Sequence, residues 1–355
     1  MFPESLEAVS FRNLKGKIDC RHGLNILVGE NGQGKTNWLE SIYFLATSRS
    51  FRTAKLSEAV RFDEDLAIVR GSVRESAEIV RELQAAIQGS TKTLSVNGKK
   101  ESVSRYLGQL HAIIFNADEL EVVRGMPEAR RGFLDAGIVS LHPPFVQTLA
   151  DYARVIRQKN ALLQTARNSE FSLERTAEML EPWNTQLVQF AEKIHRARVR
   201  LIERFNEVLQ KKLFGREELS IRYRSSLEGK GDLAEFVSLM SERLSLRVQA
   251  EITAGHSLVG THRDDMELEF DGRDLRKYGS AGQQRSALLL LQLANISVYH
   301  ATRGEYPLFL LDDIDAELDY GKTQTFVTTS KESFVEKFGV GASVSVVTGG
   351  TAKSL

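Results

Sequence analysis

A single cysteine, Cys20, in 355 residues excludes an internal disulfide framework and a metal site built from thiolates, and a reducing compartment is the natural setting for such a chain. The expected location is the cytoplasm. No window reaches the roughly 18 to 20 apolar residues of a membrane span, and the opening MFPESLEAVSF has neither the basic start nor the continuous apolar core of a secretion signal. Both absences argue against export and membrane insertion. Neither sign of charge is in excess, because 47 Lys and Arg offset 47 Asp and Glu. Any nucleic-acid contact must therefore come from a local patch and not from the field of the whole molecule. Repeats, low-complexity tracts and proline-rich linkers are also missing, so two lobes of this chain are expected to pack together and not to hang on a flexible tether.

What is present is enough apolar residue, 42%, for two packed lobes or one large domain carrying an insertion. The first 125 residues read as mixed strand and helix. LNILVGE is a short apolar strand, and TLSVNGKKESV places Asn97-Gly98 between alternating segments, a hairpin signal. From about Pro127 to Phe214 strand signals vanish, and Phe190, Ile194, Ala197, Leu201, Phe205 and Val208 recur at helical spacing. Alternation returns in MELEFDGRD, with a tight turn at Asp271-Gly272, followed by the buried strand PLFLLDD and a last strand SVSVVT. The expectation is an α/β head made of residues 1–125 and 251–355, interrupted by a mainly helical lobe at 126–250.

The stretch Gly29, Glu30, Asn31, Gly32, Gln33, Gly34, Lys35, Thr36 fits G-x-x-x-x-G-K-[ST], directly after a strand and before a helix whose apolar face carries Leu39, Ile42, Tyr43 and Ala46. Glycines let the backbone amides curl around a β-phosphate. Lys35 supplies charge for the β and γ phosphates of ATP, and Thr36 offers a hydroxyl to Mg²⁺ at a helix N-terminus that favours anions. In LLDDIDAELD an apolar strand ends in Asp312 and Asp313. A P-loop fold needs a metal-orienting acid there, for which Asp312 is the choice, and Asp313 would orient or deprotonate the attacking water. Two carboxylates at a strand end otherwise make a solvated turn. Lys35 and Asp312 stand 277 residues apart, and no N-K-x-D guanine-reading motif occurs. That spacing disfavours compact GTPases and small kinases and suits the interrupted ATPase heads of the ABC and SMC type.

A second glycine-rich stretch, YGSAGQQR at 278–285, runs straight into an apolar helix. Ser280 and Gln283 are three apart and form a capping box. Capping does not explain Gly282, which lies in the first turn and disfavours helix by roughly 1 kcal/mol relative to alanine. A helix start without a side chain at that point can approach a phosphate closely. In an ABC-type arrangement such a start comes from a partner subunit, which would make Ser280, Gly282 and Gln283 half of a site shared across an ATP-dependent homodimer.

In order along the chain, FRNL (11–14), GENGQGKTNWLESIYFL (29–45), SFRT (50–53), MPEARRGFLD (126–135), GTHRDDMEL (260–268), YGSAGQQR and LLDDIDAELD (310–319) resemble the blocks of the RecF recombination-mediator family. The resemblance spans nearly the whole chain. It implies an SMC-like ATPase head with a helical second lobe in place of a long coiled coil, dimerising on ATP, binding DNA at gaps or single/double-strand junctions, and hydrolysing ATP slowly as a switch. It further implies action with RecR and RecO partners in loading the recombinase, and roles in repair, replication restart and the SOS response. Two departures stand out: FNADEL (115–120) where the family usually reads F-x-P-E-D-L, and Ala316 where a serine usually precedes ELD. The resemblance also puts Thr348 at the switch position that transporters fill with histidine.

Arg52, one short loop after the P-loop helix, is open to two readings, a cis arginine finger or a surface ion pair. In THRDD the lone His262 reads as part of a hydrogen-bonded turn. For DNA, Lys193, Arg196, Arg200 and Arg204 are spaced 3, 4 and 4, within an arc of about 80° on one helix. Residues 126–215 hold 14 Lys and Arg against 10 Asp and Glu, a net of +4. The alternative is a solvated face pairing with Glu192, Glu203 and Glu207. A rival function for the whole chain is an ABC-type ATPase subunit of a transport or other machine without DNA contact.

Overall fold

The computed structural model describes residues 1–169, 171–211, 219–313 and 323–355. Phe214 and Ala316, both weighed above, lie outside the described residues. The chain divides into two compact units, residues 1–120 with 291–355, and residues 121–290. Among the described residues no helix is long and apolar enough to cross a membrane.

The first unit carries two sheets. One is antiparallel and six-stranded, ordered Leu14–Asp19, Phe2–Phe11, Leu66–Arg74, Val80–Gln88, Thr91–Val96, Lys99–Lys100. Its last turn holds Asn97 and Gly98 at φ 50° and 75°, the left-handed pair that a two-residue hairpin needs. The other sheet is parallel except at one edge: Ser343–Thr348, Leu24–Val28, Thr325–Thr329, Leu308–Leu311 and Ala112–Phe115 run together, and Thr351–Ser354 returns antiparallel beside the first of these. Strands buried on both faces need continuous apolar runs, and LFLL and AIIF supply them with every residue buried. The helix Lys35–Thr47 covers Trp38, Leu39, Ile42, Phe44 and Leu45, all at 0% exposure, in one core with Leu6, Phe11 and Val69.

The second unit includes the helices Pro127–Leu141, Phe145–Arg167 and Leu173–Leu209. Pro127 at the first helical position costs no hydrogen bond there. Ser172 caps the longest helix by accepting from the Arg175 N–H at 3.2 Å. Leu180, Leu187, Ala191, Ile194, Leu201 and Phe205 are buried along that helix, at the spacing that marks one face.

The second cut between units falls inside the helix Ala281–Arg303, well past the boundary at 250 read from sequence. The cause is pairing. Leu219–Arg224 lies antiparallel to Asp265–Phe270, which pairs in turn with Arg273–Asp274. A strand on the near side of 250 is thus tied to strands on the far side. Alternation alone reports that these strands exist and is silent on which lobe holds them.

Candidate functional site

The strand Leu24–Val28 delivers the chain into the glycine-rich loop. Gly32 and Gly34 sit at φ 79° and 106°, a region closed to most side chains. A Cβ on Gly34 would come within 2.9 Å of Asn13 Oδ1, and one on Gly29 would strike the Val347 carbonyl. Both positions therefore require glycine for reasons of shape. Lys35 is 5% exposed, and its Nζ donates to the carbonyls of Gly29 at 2.8 Å and Glu30 at 2.9 Å. The loop's own oxygens hold the ammonium group.

Thr36 and Asp312 meet although they are far apart in sequence: Thr36 Oγ1 donates to Asp312 Oδ1 at 2.9 Å. Thr328, on the neighbouring parallel strand, donates to the same oxygen at 2.7 Å. Burial raises the Asp312 carboxyl pKa, the two hydroxyls oppose that rise, and nearby Asp313 adds to it. Asp313 stands at φ 51°, unusual for a residue with a side chain. Its N–H donates to Thr328 Oγ1 at 2.9 Å, and it is exposed. Thr328 carried no motif in the sequence. Its only signal is a threonine pair closing the fully buried strand TFVTT.

Thr36 Oγ1 and Asp312 Oδ1 are hard oxygen donors, the type that magnesium takes one or two of from protein while keeping phosphate and water for the rest. The pair fits that ion. In the FNADEL loop, Asn116 Oδ1 accepts from the Glu119 N–H at 2.9 Å, and the Asp312 N–H donates to the Phe115 carbonyl at 3.1 Å.

Arg52 Nη1 donates to Asn37 Oδ1 at 2.6 Å and lies 3.7 Å from Glu40. Glu40 is fully buried and is also gripped by Arg12, through Nη2 at 2.8 Å and Nε at 3.0 Å, and by Ser50 Oγ at 2.6 Å. The FRNL and SFRT blocks thus converge on one carboxylate of the P-loop helix. Sequence reading missed Glu40, because a lone acid on a helix carries no motif.

In the second unit, Ser280 and Gln283 form the reciprocal cap. Ser280 N–H donates to Gln283 Oε1 at 2.9 Å, and Gln283 N–H to Ser280 Oγ at 3.2 Å. A Cβ on Gly282 would meet only Ser280 Oγ at 3.9 Å. Among the described residues nothing near it requires a glycine. On the long helix Lys193, Arg196 and Arg200 are exposed and Arg204 half-buried. Arg196 pairs with Glu192 at 2.6 Å, and Lys193 Nζ sits 5.9 Å from the Phe190 ring centre.

The arginine-rich block and the THRDD block fold into one partly buried network. Arg130 holds Asp265, Arg198 holds Asp135 at 2.8 and 2.9 Å while donating to the Thr261 carbonyl, and Arg131 donates to the Asp264 carbonyl. Tyr223 hydroxyl donates to Asp264, which also accepts from the Ser226 N–H. His262 lies in a short turn against the Tyr152 hydroxyl at 2.8 Å.

The RecF/RecN/SMC N-terminal domain family matches residues 4–338. The chain is 34% identical over 350 residues to the DNA replication and repair protein RecF of Bacillus velezensis, covering 93% of each chain. It is 35% identical over 347 residues to that of Staphylococcus aureus, covering 92% of each. Two solved structures of the recombination mediator protein RecF in the RecFOR pathway superpose on it. The one with ATP gives a TM-score of 0.90, 29% identity and coverage of 100% of this chain and 97% of that one, and the one described as RecF-ATPrS gives 0.89, 29%, 100% and 98%.

Proposed function

The chain belongs to the RecF family, with an SMC/ABC-type ATPase head, and from that membership we propose that it is an ATP-gated DNA-binding protein of recombinational repair, replication restart and SOS induction. ATP joins two copies, the joined copies hold duplex DNA near a gap or junction, and slow hydrolysis releases them. RecR and RecO relatives are its partners in loading the recombinase, and its setting is the cytoplasm. The observation that carries the reading is the 2.9 Å contact between Thr36 and Asp312. It brings together, from two ends of the chain, two oxygens of the hard type that magnesium takes from protein, which supports the reading.

Within this reading the loop amides and Lys35 bind the phosphates of ATP, Lys35 turning from the Gly29 and Glu30 carbonyls to the β and γ oxygens. Thr36 and Asp312 would hold Mg²⁺, which when bound would neutralise phosphate charge. Thr328 keeps Asp312 aimed by its hydrogen bond. Asp313, at the end of the strand, orients the attacking water and accepts its proton. Arg52 stands by the P-loop helix, tethered through Asn37, as a candidate for the phosphates. Ser280, Gly282 and Gln283 of a second copy close the site, a role supported by the open space around Gly282. Lys193, Arg196, Arg200 and Arg204 give the longest helix a basic stripe for DNA phosphates. The head, expected at 1–125 with 251–355, would work the switch, and the helical lobe at 126–250 would carry the stripe.

The test is retention on gapped DNA with ATP, with ADP and without nucleotide. ATP-dependent retention is expected. ATP hydrolysis without retention under any nucleotide would overturn the DNA reading in favour of an ATPase subunit of another machine.

A further inference from the structure

Gln33 occupies one of the four positions of the phosphate loop for which the motif prescribes no chemistry, yet it makes two contacts with a segment more than 300 residues away. Its Oε1 accepts from the Gly349 N–H at 2.7 Å, and its backbone carbonyl accepts from the Gly350 N–H at 2.8 Å. Gly349 and Gly350 form the tip of the hairpin Ser343–Thr348/Thr351–Ser354, at φ 54° and 83°. Two consecutive left-handed residues are what a two-residue turn needs. The fit is close around Gly350 and Gly34. A Cβ on Gly350 would strike the Asn13 carbonyl, and one on Gly34 would lie 3.2 Å from Gly350 Cα. Asn13 in turn accepts from Asn37 Nδ2 at 2.7 Å, so the hairpin tip, the turn after Phe2–Phe11 and the start of the P-loop helix brace one another.

The peptide unit makes this bracing chemical. In a trans peptide the carbonyl of Gln33 and the N–H of Gly34 point in opposite directions. Fixing the carbonyl on the hairpin side directs the Gly34 amide to the other side, and backbone amides of this loop are what receives phosphate. We propose that the Gln33 clasp on Gly349 and Gly350 is a positioning device for the phosphate loop, and that nucleotide occupancy and closure of this hairpin are coupled. Gln33 acts through the loop backbone and is a positioning residue. Coupling of two equilibria is reciprocal. If the closed clasp strengthens nucleotide binding, bound nucleotide must tighten the clasp by the same factor.

The inference rests on the nucleotide reading above, and one pair of measurements separates the two. Nucleotide affinity is measured with ADP and with a slowly hydrolysed ATP analogue on the whole protein and on Gln33→Ala, while hydrogen exchange is followed over residues 343–354. Gln33 is half-buried, so the variant should keep its Tm. Expected are a Kd for nucleotide raised roughly fivefold, about the loss of one hydrogen bond, and exchange at Gly349 and Gly350 that nucleotide slows several-fold in the parent but not in the variant. A merely structural contact would move Tm and leave the nucleotide response of the hairpin intact. Unchanged Kd in Gln33→Ala, or hairpin exchange indifferent to nucleotide in the parent, overturns the inference. If the parent binds no nucleotide at all, the functional reading itself fails.

Discussion

Arg130 grips Asp265 with both arms of its guanidinium, Nε to Oδ1 at 2.6 Å and Nη2 to Oδ2 at 2.9 Å, while its third donor reaches the Gly125 carbonyl at 2.9 Å. The arginine is 2% exposed. Two sequence blocks that stand some 130 residues apart thus share one forked ion pair whose arginine is buried and whose carboxylate is partly exposed, and breaking such a pair leaves an uncompensated charge. Arg130→Ala should lower the unfolding free energy by roughly 3 kcal/mol. Arg130→Lys should recover only part of this, because an ammonium cannot make the fork. Denaturant unfolding checks both. Equal stability of the lysine variant and the parent would show that charge alone holds the two blocks.

Asp312 presents a different balance. Burial raises its carboxyl pKa, so holding it ionised costs folding free energy, and Thr36 and Thr328 recover part of that cost. Asp312→Asn keeps an oxygen to accept from both hydroxyls and removes the charge. The variant is expected to melt higher than the parent without nucleotide, while its ATPase rate falls on the order of 100-fold. A calorimetric scan beside a phosphate-release assay decides. A lower Tm together with lost activity would mean that the carboxylate stabilises the fold, contrary to its raised pKa.

Much of this was legible in the sequence, for a physical reason. A phosphate loop needs glycine at Gly32 and Gly34 because their φ values exclude side chains, and that demand is local, so it shows as spacing. The same holds for the turns at Asn97-Gly98 and Asp271-Gly272 and for the cap of Ser280 on Gln283. Thr328, Glu40 and the Gln33 clasp left no such trace. Each works through a partner brought near by the sheet, and a threonine in a strand or an acid in a helix looks the same with or without that partner. The division into compact units lies past the boundary read at 250 on the same ground, since strand pairing is a long-range fact.

His262 gives a pH signature. Burial lowers its pKa to about 4, with Arg263 and Arg131 adding to the fall. With Nε2 donating to the Ser257 carbonyl at 3.3 Å, Nδ1 is left to accept from the Tyr152 hydroxyl. The folded-state value lies below the unfolded one, so between pH 6.5 and 4 the unfolded chain binds the proton and the folded chain does not. Stability from this group is therefore full above pH 6.5 and is lost as pH falls. The margin of the parent over His262→Gln should shrink by about 2 kcal/mol between pH 7.5 and 5. A margin constant over that range would place the imidazole in contact with water.

The basic stripe is tested by salt. Lys193, Arg196 and Arg200 are exposed on one helix, and Arg196 must leave Glu192 to reach a phosphate. Reversing Arg196 and Arg200 to glutamate should weaken binding to gapped DNA at least tenfold and flatten the plot of log K against log salt by about 2, one counterion for each lost contact. An unchanged slope would return the stripe to an ordinary solvated face.

Gly282 offers the sharpest test of the shared site. Among the described residues a methyl group there would meet only Ser280 Oγ, at 3.9 Å, so Gly282→Ala should stabilise the helix by up to about 1 kcal/mol. If the proposed shared site holds, the same methyl would stand where a second copy's triphosphate approaches, and ATP-dependent dimerisation should drop. Stabilised monomer with weakened dimer is an outcome that a simple cap does not produce. Mixing extends the argument to the site as a whole. Lys35→Ala damages the phosphate loop and Ser280→Arg the opposing helix start, and each variant alone should hydrolyse little ATP. In a mixed dimer one composite site carries both lesions and the other carries neither, so activity should return toward half of the parent's. Heterodimers that form, verified by a tag on one variant, yet stay inactive would show that Ser280 serves its own chain and not its neighbour's nucleotide.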